Sequence, residues 1–210
     1  RASRRIRKQR NEPAGVTVKP GTYRLKMTFD NEVSEQTIKV AFDPRLQISE
    51  AAINQKYNAS KELEKYQEKI ASAVKQLVES KNAATAIKSD LSKEDKKLYK
   101  EQIKSSTKTI KAIDRLIAKY LGTIDKRQGI TRNPEITVNQ RFGQASRYIR
   151  SRFGTQTATE KVLMNQFKEE FKKVIGETNT FFNNEWIIYK KSVENINLSK
   201  FKDTKIFTFN

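Results

Sequence analysis

The sequence predicts an α+β fold that is mainly α, in which an N-terminal β-hairpin is followed by an antiparallel helical bundle. Residues 22–42 alternate between apolar and polar side chains, which is the period of β-strands. From Ser49 onward, apolar side chains recur mostly every three or four positions, which is the period of helices. Hydrophobic residues are only 36% of the 210 residues, and this favours solvated helices with narrow apolar stripes over a thick core.

Residues 1–14 are predicted to be a basic arm or strap. The first ten residues carry six basic side chains and one large apolar residue, Ile6. One interpretation is a flexible arm that binds polyanions. The other is an extended strap that lies against a neighbouring domain, and the composition alone leaves both open.

The alternating pattern within residues 15–46 predicts a β-hairpin. Pro20 and Gly21 indicate a turn, and the strand that follows presents one apolar face, made of Tyr23, Leu25, Met27 and Phe29. We expect this strand to be half-buried. Asp30–Glu32 is the predicted turn, Ser34–Phe42 the second strand, and Pro44 ends the pairing. Because two strands alone are marginally stable in water, the hairpin is expected to pack on the helices or on further strands.

The spacing of apolar residues within 47–210 predicts a helical domain with an extended tail. Ser49 is a candidate N-cap for a helix that runs to about Ser80. The small residues of Asn82–Asp90 predict a linker, after which Ser92 caps a second helix that continues to Gly122. Two long helices joined in this way form an antiparallel pair.

The remaining helices are bounded by their own signals. Thr137 is a candidate cap for a third helix that Gly154 stops. A fourth helix is predicted from about Thr157 to Val193, with Gly176 as a candidate break. The tail, Leu198–Asn210, contains Phe201, Ile206, Phe207 and Phe209 without helical period, and this predicts an extended segment.

The composition excludes several chemistries. The chain has no Cys and no His, so it lacks thiol nucleophiles, disulfides, thiolate or imidazole metal ligands and a histidine base. The seven glycines are scattered, which excludes a glycine-rich phosphate loop, and the acidic clusters lie next to Lys as on solvated helix faces. We therefore predict no catalytic residue, no cofactor and no metal site. The sequence contains no run of 18 apolar residues, so we predict no membrane span.

The charge balance suggests one kind of ligand. Lys plus Arg is 43 and Asp plus Glu is 24, which gives a net charge of +19. Basic residues interleaved with aromatic ones can bind polyanions through charge and stacking. The alternative is that the aromatic residues are core and the basic ones face solvent. The candidate interface or polyanion contacts are Arg4, Arg5, Arg7, Lys8, Arg10, Arg141, Arg147, Arg150 and Arg152.

Three stretches carry a resemblance to a known family: Glu12–Tyr23 with its PGTY motif, Leu25–Phe29, and Val40–Leu46 with its DPR motif. Together they resemble the C-terminal region of large secreted proteins of the Bacteroidetes type. These are sortilin-like or Asp-box β-propeller proteins, and they are described as glycosyl hydrolases. The tail, with Trp186, Phe201 and Ile206, is similar to the ending of that family.

The resemblance implies the context of the chain. In that family a propeller is followed by an immunoglobulin-like domain that ends in such a hairpin, and a helical region follows. It implies a secreted or cell-surface protein, associated with the outer membrane, with a propeller upstream of a chain that begins with Arg. Because Asp-box blades are absent here, it implies no activity for this piece.

Three functions follow as expectations. The first is a non-catalytic interaction or stabilising module at the C-terminus of a cell-surface propeller protein. Its partners would be the upstream domains of its own parent chain or a cell-surface complex, and nucleic acid is not the expected partner. The second is a polyanion-binding basic helical module for nucleic acid or an acidic glycan. The third is an accessory domain of a glycan hydrolase.

Overall fold

The computed structural model describes residues 15–94, 96–123, 136–152 and 154–196. The predicted arm at 1–14 and the tail Leu198–Asn210 lie outside the described residues. The predicted fold class is confirmed: the described residues are α+β and mainly α, with 69% of them in helices. In chain order the elements are β1 Gly21–Phe29, β2 Glu32–Val40, α1 Glu50–Lys93, α2 Lys100–Leu121, α3 Val138–Arg150, α4 Ala158–Phe181, a π-helical turn Phe182–Trp186 and α5 Ile187–Glu194.

The hairpin is antiparallel, and its register runs from Gly21 opposite Val40 to Phe29 opposite Glu32. A two-residue turn closes it, and Asp30 there adopts a positive φ of 52°, which Asp tolerates better than most residues. β2 begins and ends two residues before the predicted Ser34–Phe42. The first predicted strand is confirmed as β1.

The described residues divide into two compact units. The first unit holds the described residues up to Ile70 together with Gln140–Phe167, and therefore contains the hairpin. The second unit holds the described parts of Ala71–Asn139 and of the chain from Lys168 onward. The second unit is helical throughout its described elements, because it takes the end of α1, α2, and the end of α4 with α5.

An aromatic cluster forms the core of the first unit. Phe167 is fully buried, with its ring centroid 5.1 Å from that of Tyr66 and 5.5 Å from that of Phe142, both in edge-on geometry. The predicted cap at Ser49 is confirmed, since its Oγ accepts a hydrogen bond from the backbone N–H of Ala52 at 3.3 Å.

A capping box starts α4, also in the first unit. The backbone N–H of Thr157 donates to Oε2 of Glu160 at 2.9 Å, and the N–H of Glu160 donates to Oγ1 of Thr157 at 3.2 Å. These two bonds satisfy backbone donors that a helix N-terminus otherwise leaves open. The predicted start of this helix at Thr157 is therefore correct to within one residue.

The second unit is held by paired helices. Lys81 of α1 and Asp114 of α2 form an ion pair at 2.6 Å. They lie at similar sequence distances from the α1–α2 connection, as an antiparallel pair requires. The hydroxyl of Tyr120 lies 3.1 Å from that of Thr178, and α2 meets α5 through a buried contact of 3.1 Å between the hydroxyls of Ser106 and Tyr189.

The predicted linker at Asn82–Asp90 is wrong, because α1 continues through it to Lys93. Ala84 and Leu91 are fully buried, so this stretch packs as an apolar helix face. Ser92 is not a cap: its hydroxyl donates to the carbonyl of Lys88 at 2.6 Å, within the helix. α2 begins later, at Lys100, without a side-chain cap.

Gly176 does not break the fourth helix and lies inside α4. The departure from α geometry comes further on, at the π-helical turn Phe182–Trp186. There the rings of Phe181, Phe182, Trp186 and Tyr189 lie in successive contact, with centroids 5.3–6.4 Å apart. The wider turn accompanies the packing of these bulky rings.

Candidate functional site

One face of the hairpin is apolar and open. We call the apolar part of this side the hairpin face, and it consists of Tyr23, Leu25, Met27, Phe29, Ile38 and Val40. Polar residues of β2 share the same side near the turn, where Gln36, Ser34 and Glu32 lie opposite Leu25, Met27 and Phe29. The exposed fraction is 54% for Leu25, 68% for Met27 and 80% for Phe29. The prediction of a half-buried strand is therefore wrong for this stretch: its apolar side faces solvent.

A cavity of about 490 Å³ lies at the base of the hairpin, within the first unit. Its walls come from the irregular segment 15–20, the end of β2, the start of α1 and the end of α3 with the residues that follow it. Val40 belongs both to this cavity and to the hairpin face, so the apolar surface continues into the cavity. Apolar members of the wall are Val16, Val18, Val40, Phe42, Ile53 and Tyr57.

Basic side chains border this cavity, and most of them already have partners. Lys19 donates to Oδ1 of Asn54 at 2.9 Å, and its Nζ lies 5.0 Å from the ring centroid of Tyr57. Lys56 donates to the backbone carbonyl of Arg152. These contacts tie segment 15–20 and the end of α3 to α1, and so they shape the cavity.

Burial lowers the pKa of Lys56, and the nearby Arg152 lowers it further, while Glu160 raises it in part. Glu160 is itself buried and held by the capping box of α4. Asp43 also lines the cavity and pairs with Arg45 at 2.6 Å, and this hydrogen-bonded pairing lowers the pKa of the Asp43 carboxyl. Lys19, Lys56 and Arg152 therefore donate hydrogen bonds to uncharged oxygens, whereas the Asp43 carboxylate is matched by Arg45.

The structure describes four of the nine predicted basic residues, and these four do not share one face of α3. Arg4, Arg5, Arg7, Lys8 and Arg10 lie outside the described residues. Arg141 donates to Oε1 of Gln166 at 2.9 Å, whereas Arg150 and Arg152 line the cavity. Because successive helical residues turn by about 100°, Arg141 lies about 180° around α3 from Arg150, whereas Arg147 and Arg150 are about 60° apart and share a face.

Sequence reasoning missed the roles of Lys19 and Lys56. No local pattern distinguishes them from other lysines, since the contact of Lys56 with Arg152 spans 96 residues. The period-two pattern of β1 did identify the hairpin face.

Comparison with known proteins adds no name to this site: no protein-family model, no curated protein and no solved structure matches the chain. Among the described residues, no group of three or more acidic side chains is placed to hold a metal ion. No described helix is both long enough and apolar enough to cross a bilayer.

Proposed function

We propose that the chain is a non-catalytic interaction module whose hairpin face docks on a β-sheet domain. The observation that carries this proposal is the solvent exposure of Leu25, Met27 and Phe29 on one side of a two-stranded sheet. Two strands are marginal alone, and an apolar sheet face is stable when a second layer covers it. A contiguous exposed apolar patch is typical of an interaction site.

A β-sheet is the partner that fits this face best. Strands present side chains at a period of two, so the inner face of another sheet interdigitates with the hairpin face as in a β-sandwich. The cavity below Val40 then receives a side chain from the same partner. Following the resemblance, the partner is an immunoglobulin-like domain upstream in the same parent protein, at the cell surface or secreted.

The test begins with the reading frame upstream of the codon for Arg1. Where it encodes a β domain, that domain is produced separately and titrated with this chain by calorimetry at several temperatures. Burial of apolar surface gives a negative heat-capacity change on binding. A start codon nearby, or an upstream domain that does not bind, would contradict the proposal.

A matched pair of variants locates the contact. Met27→Lys with Phe29→Lys places two charges on the hairpin face and is expected to abolish binding. Thr22→Lys with Thr28→Lys places the same charges on the opposite face of the same strand and leaves binding intact. Equal effects of the two variants, or a homodimer that assembles through Phe29 in sedimentation, would show that the partner is wrongly assigned.

Catalysis has no place in this proposal for the module itself. If the parent protein cleaves glycans, a glycan-release assay detects activity with the parent and none with this chain. Release by the isolated chain would contradict a purely non-catalytic role.

A further inference from the structure

The outer face of α2 carries a row of basic residues that neither the proposed docking nor the candidate arginines use. We call it the α2 stripe, and it consists of Lys100, Lys104, Lys108, Lys111 and Arg115. At about 1.5 Å per residue, the stripe extends roughly 22 Å along the helix. All five side chains are exposed.

The stripe faces directly away from the packed side of its helix. The buried residues of α2 are Ser106, Thr109, Ile113, Leu116 and Tyr120. With about 100° per residue, the stripe occupies a sector of about 80°, centred roughly 160° from the middle of the buried face. Packing inside the unit therefore does not explain why this face is basic.

No carboxylate forms an ion pair with the stripe within the part of the chain that the structure describes. Asp114 is engaged with Lys81 at 2.6 Å, and Glu177 binds Lys119, which lies at the edge of the stripe. Glu101 is exposed in the first turn, but forms no ion pair with the stripe. Like charges spaced three or four residues apart destabilise a helix, so a bound anion would relieve this repulsion.

We infer that the α2 stripe binds a linear acidic polysaccharide. Neighbouring charges on the stripe are about 6 Å apart, well within the Debye length of about 10 Å at 0.1 M salt, so they act together on one chain of anions. A lysine is a point charge without fixed geometry, which suits the sparse carboxylates or sulfates of a flexible polymer.

The side chains beside the stripe argue against other polyanions. Its sector contains no aromatic residue, and base stacking is a main contribution to single-strand nucleic-acid binding. The apolar face of α2 is buried, whereas helices that lie on membranes need such a face for the acyl boundary. The α2 stripe shares no residue with the hairpin face, so its binding is tested independently of the proposed docking.

The experiment measures binding of the full chain to polygalacturonate, with uncharged dextran, oligothymidylate and phosphatidylglycerol–phosphatidylcholine vesicles as comparison probes. We expect polygalacturonate to bind most tightly, and its affinity to fall steeply between about 50 mM and about 200 mM salt. Tighter binding of oligothymidylate or vesicles, or binding that ignores salt, would overturn the inference.

Two variants of equal charge test the location. Replacing four stripe residues, Lys104→Gln, Lys108→Gln, Lys111→Gln and Arg115→Gln, is expected to weaken binding about 30-fold at low salt. The control removes four charges elsewhere, as Lys75→Gln, Lys161→Gln, Lys173→Gln and Lys190→Gln, and is expected to change affinity by no more than about threefold. Circular dichroism confirms that both variants stay helical, and an equal loss in both would refute a site on α2.

Discussion

Substitutions at Ala83 and Ala84 distinguish a continuous helix α1 from a linker at residues 82–90. Ala83 is exposed and Ala84 is fully buried, both in the interior of the helix. Ala83→Pro removes a helical N–H and clashes with the preceding turn, which costs about 3 kcal/mol of unfolding free energy. Ala83→Gly costs about 1 kcal/mol through helix propensity alone.

The buried neighbour sharpens the measurement. Ala84→Gly carries the same backbone cost and also loses one buried methyl group, worth about 0.8 kcal/mol, so we expect a total near 2 kcal/mol. The difference between the two glycine variants isolates packing, because the effect on the unfolded chain is common to both.

The assay is urea denaturation followed by circular dichroism of helix, with the free energy extrapolated to water. The expected order of destabilisation is Ala83→Pro, then Ala84→Gly, then Ala83→Gly. A proline at 83 that costs less than about 1 kcal/mol, or equal costs for the two glycines, would refute a packed helix at this position.

Three further predictions concern the packing of each unit. Phe167→Ala is expected to destabilise the first unit by about 3–5 kcal/mol, because it leaves a cavity beside Tyr66, and Phe167→Leu is expected to destabilise it clearly less. Equal losses of unfolding free energy for the two variants in urea denaturation would contradict the edge-on packing. Thr157→Ala is expected to cost about 1 kcal/mol by removing the α4 cap, with Thr157→Ser near wild type, and an unchanged melting curve for the alanine variant would contradict the cap. Burial raises the pKa of both Tyr120 and Tyr189, so their contribution to folding stability is full below the unfolded pKa near 10 and is lost as the pH rises through the folded pKa. Replacing both residues with Phe is expected to flatten the loss of stability at alkaline pH. An equally steep loss in the double variant would contradict the raised pKa values.

The candidate surfaces differ in how far the sequence predicts them. The hairpin face follows from the period of β1, because alternation alone puts Leu25, Met27 and Phe29 on one side. The spacing of the α2 stripe is local as well, but the sequence did not single it out, because only burial shows which face of α2 is covered. The cavity is not, since it depends on contacts such as that of Lys56 with Arg152, far apart in the chain.

The sequence by itself determined the elements that have strong local signals. These are the alternating strands around Asp30, the cap at Ser49, the start of the fourth helix near Thr157 and the mainly helical class. Each depends on residues within a few positions of one another, so a local pattern is sufficient to predict it.

Only the tertiary structure decided whether Asn82–Asp90 is helix or linker. Its Asn, Thr, Ser and Asp are weak helix formers, while its alanines are strong ones, so local propensity is nearly balanced. Burial of Ala84 within the segment and of Leu91 just after it tips that balance towards helix. The same holds for Met27, whose apolar character is local but whose exposure depends on what the rest of the chain leaves uncovered. Burial is a property of distant contacts, and a local period cannot supply it.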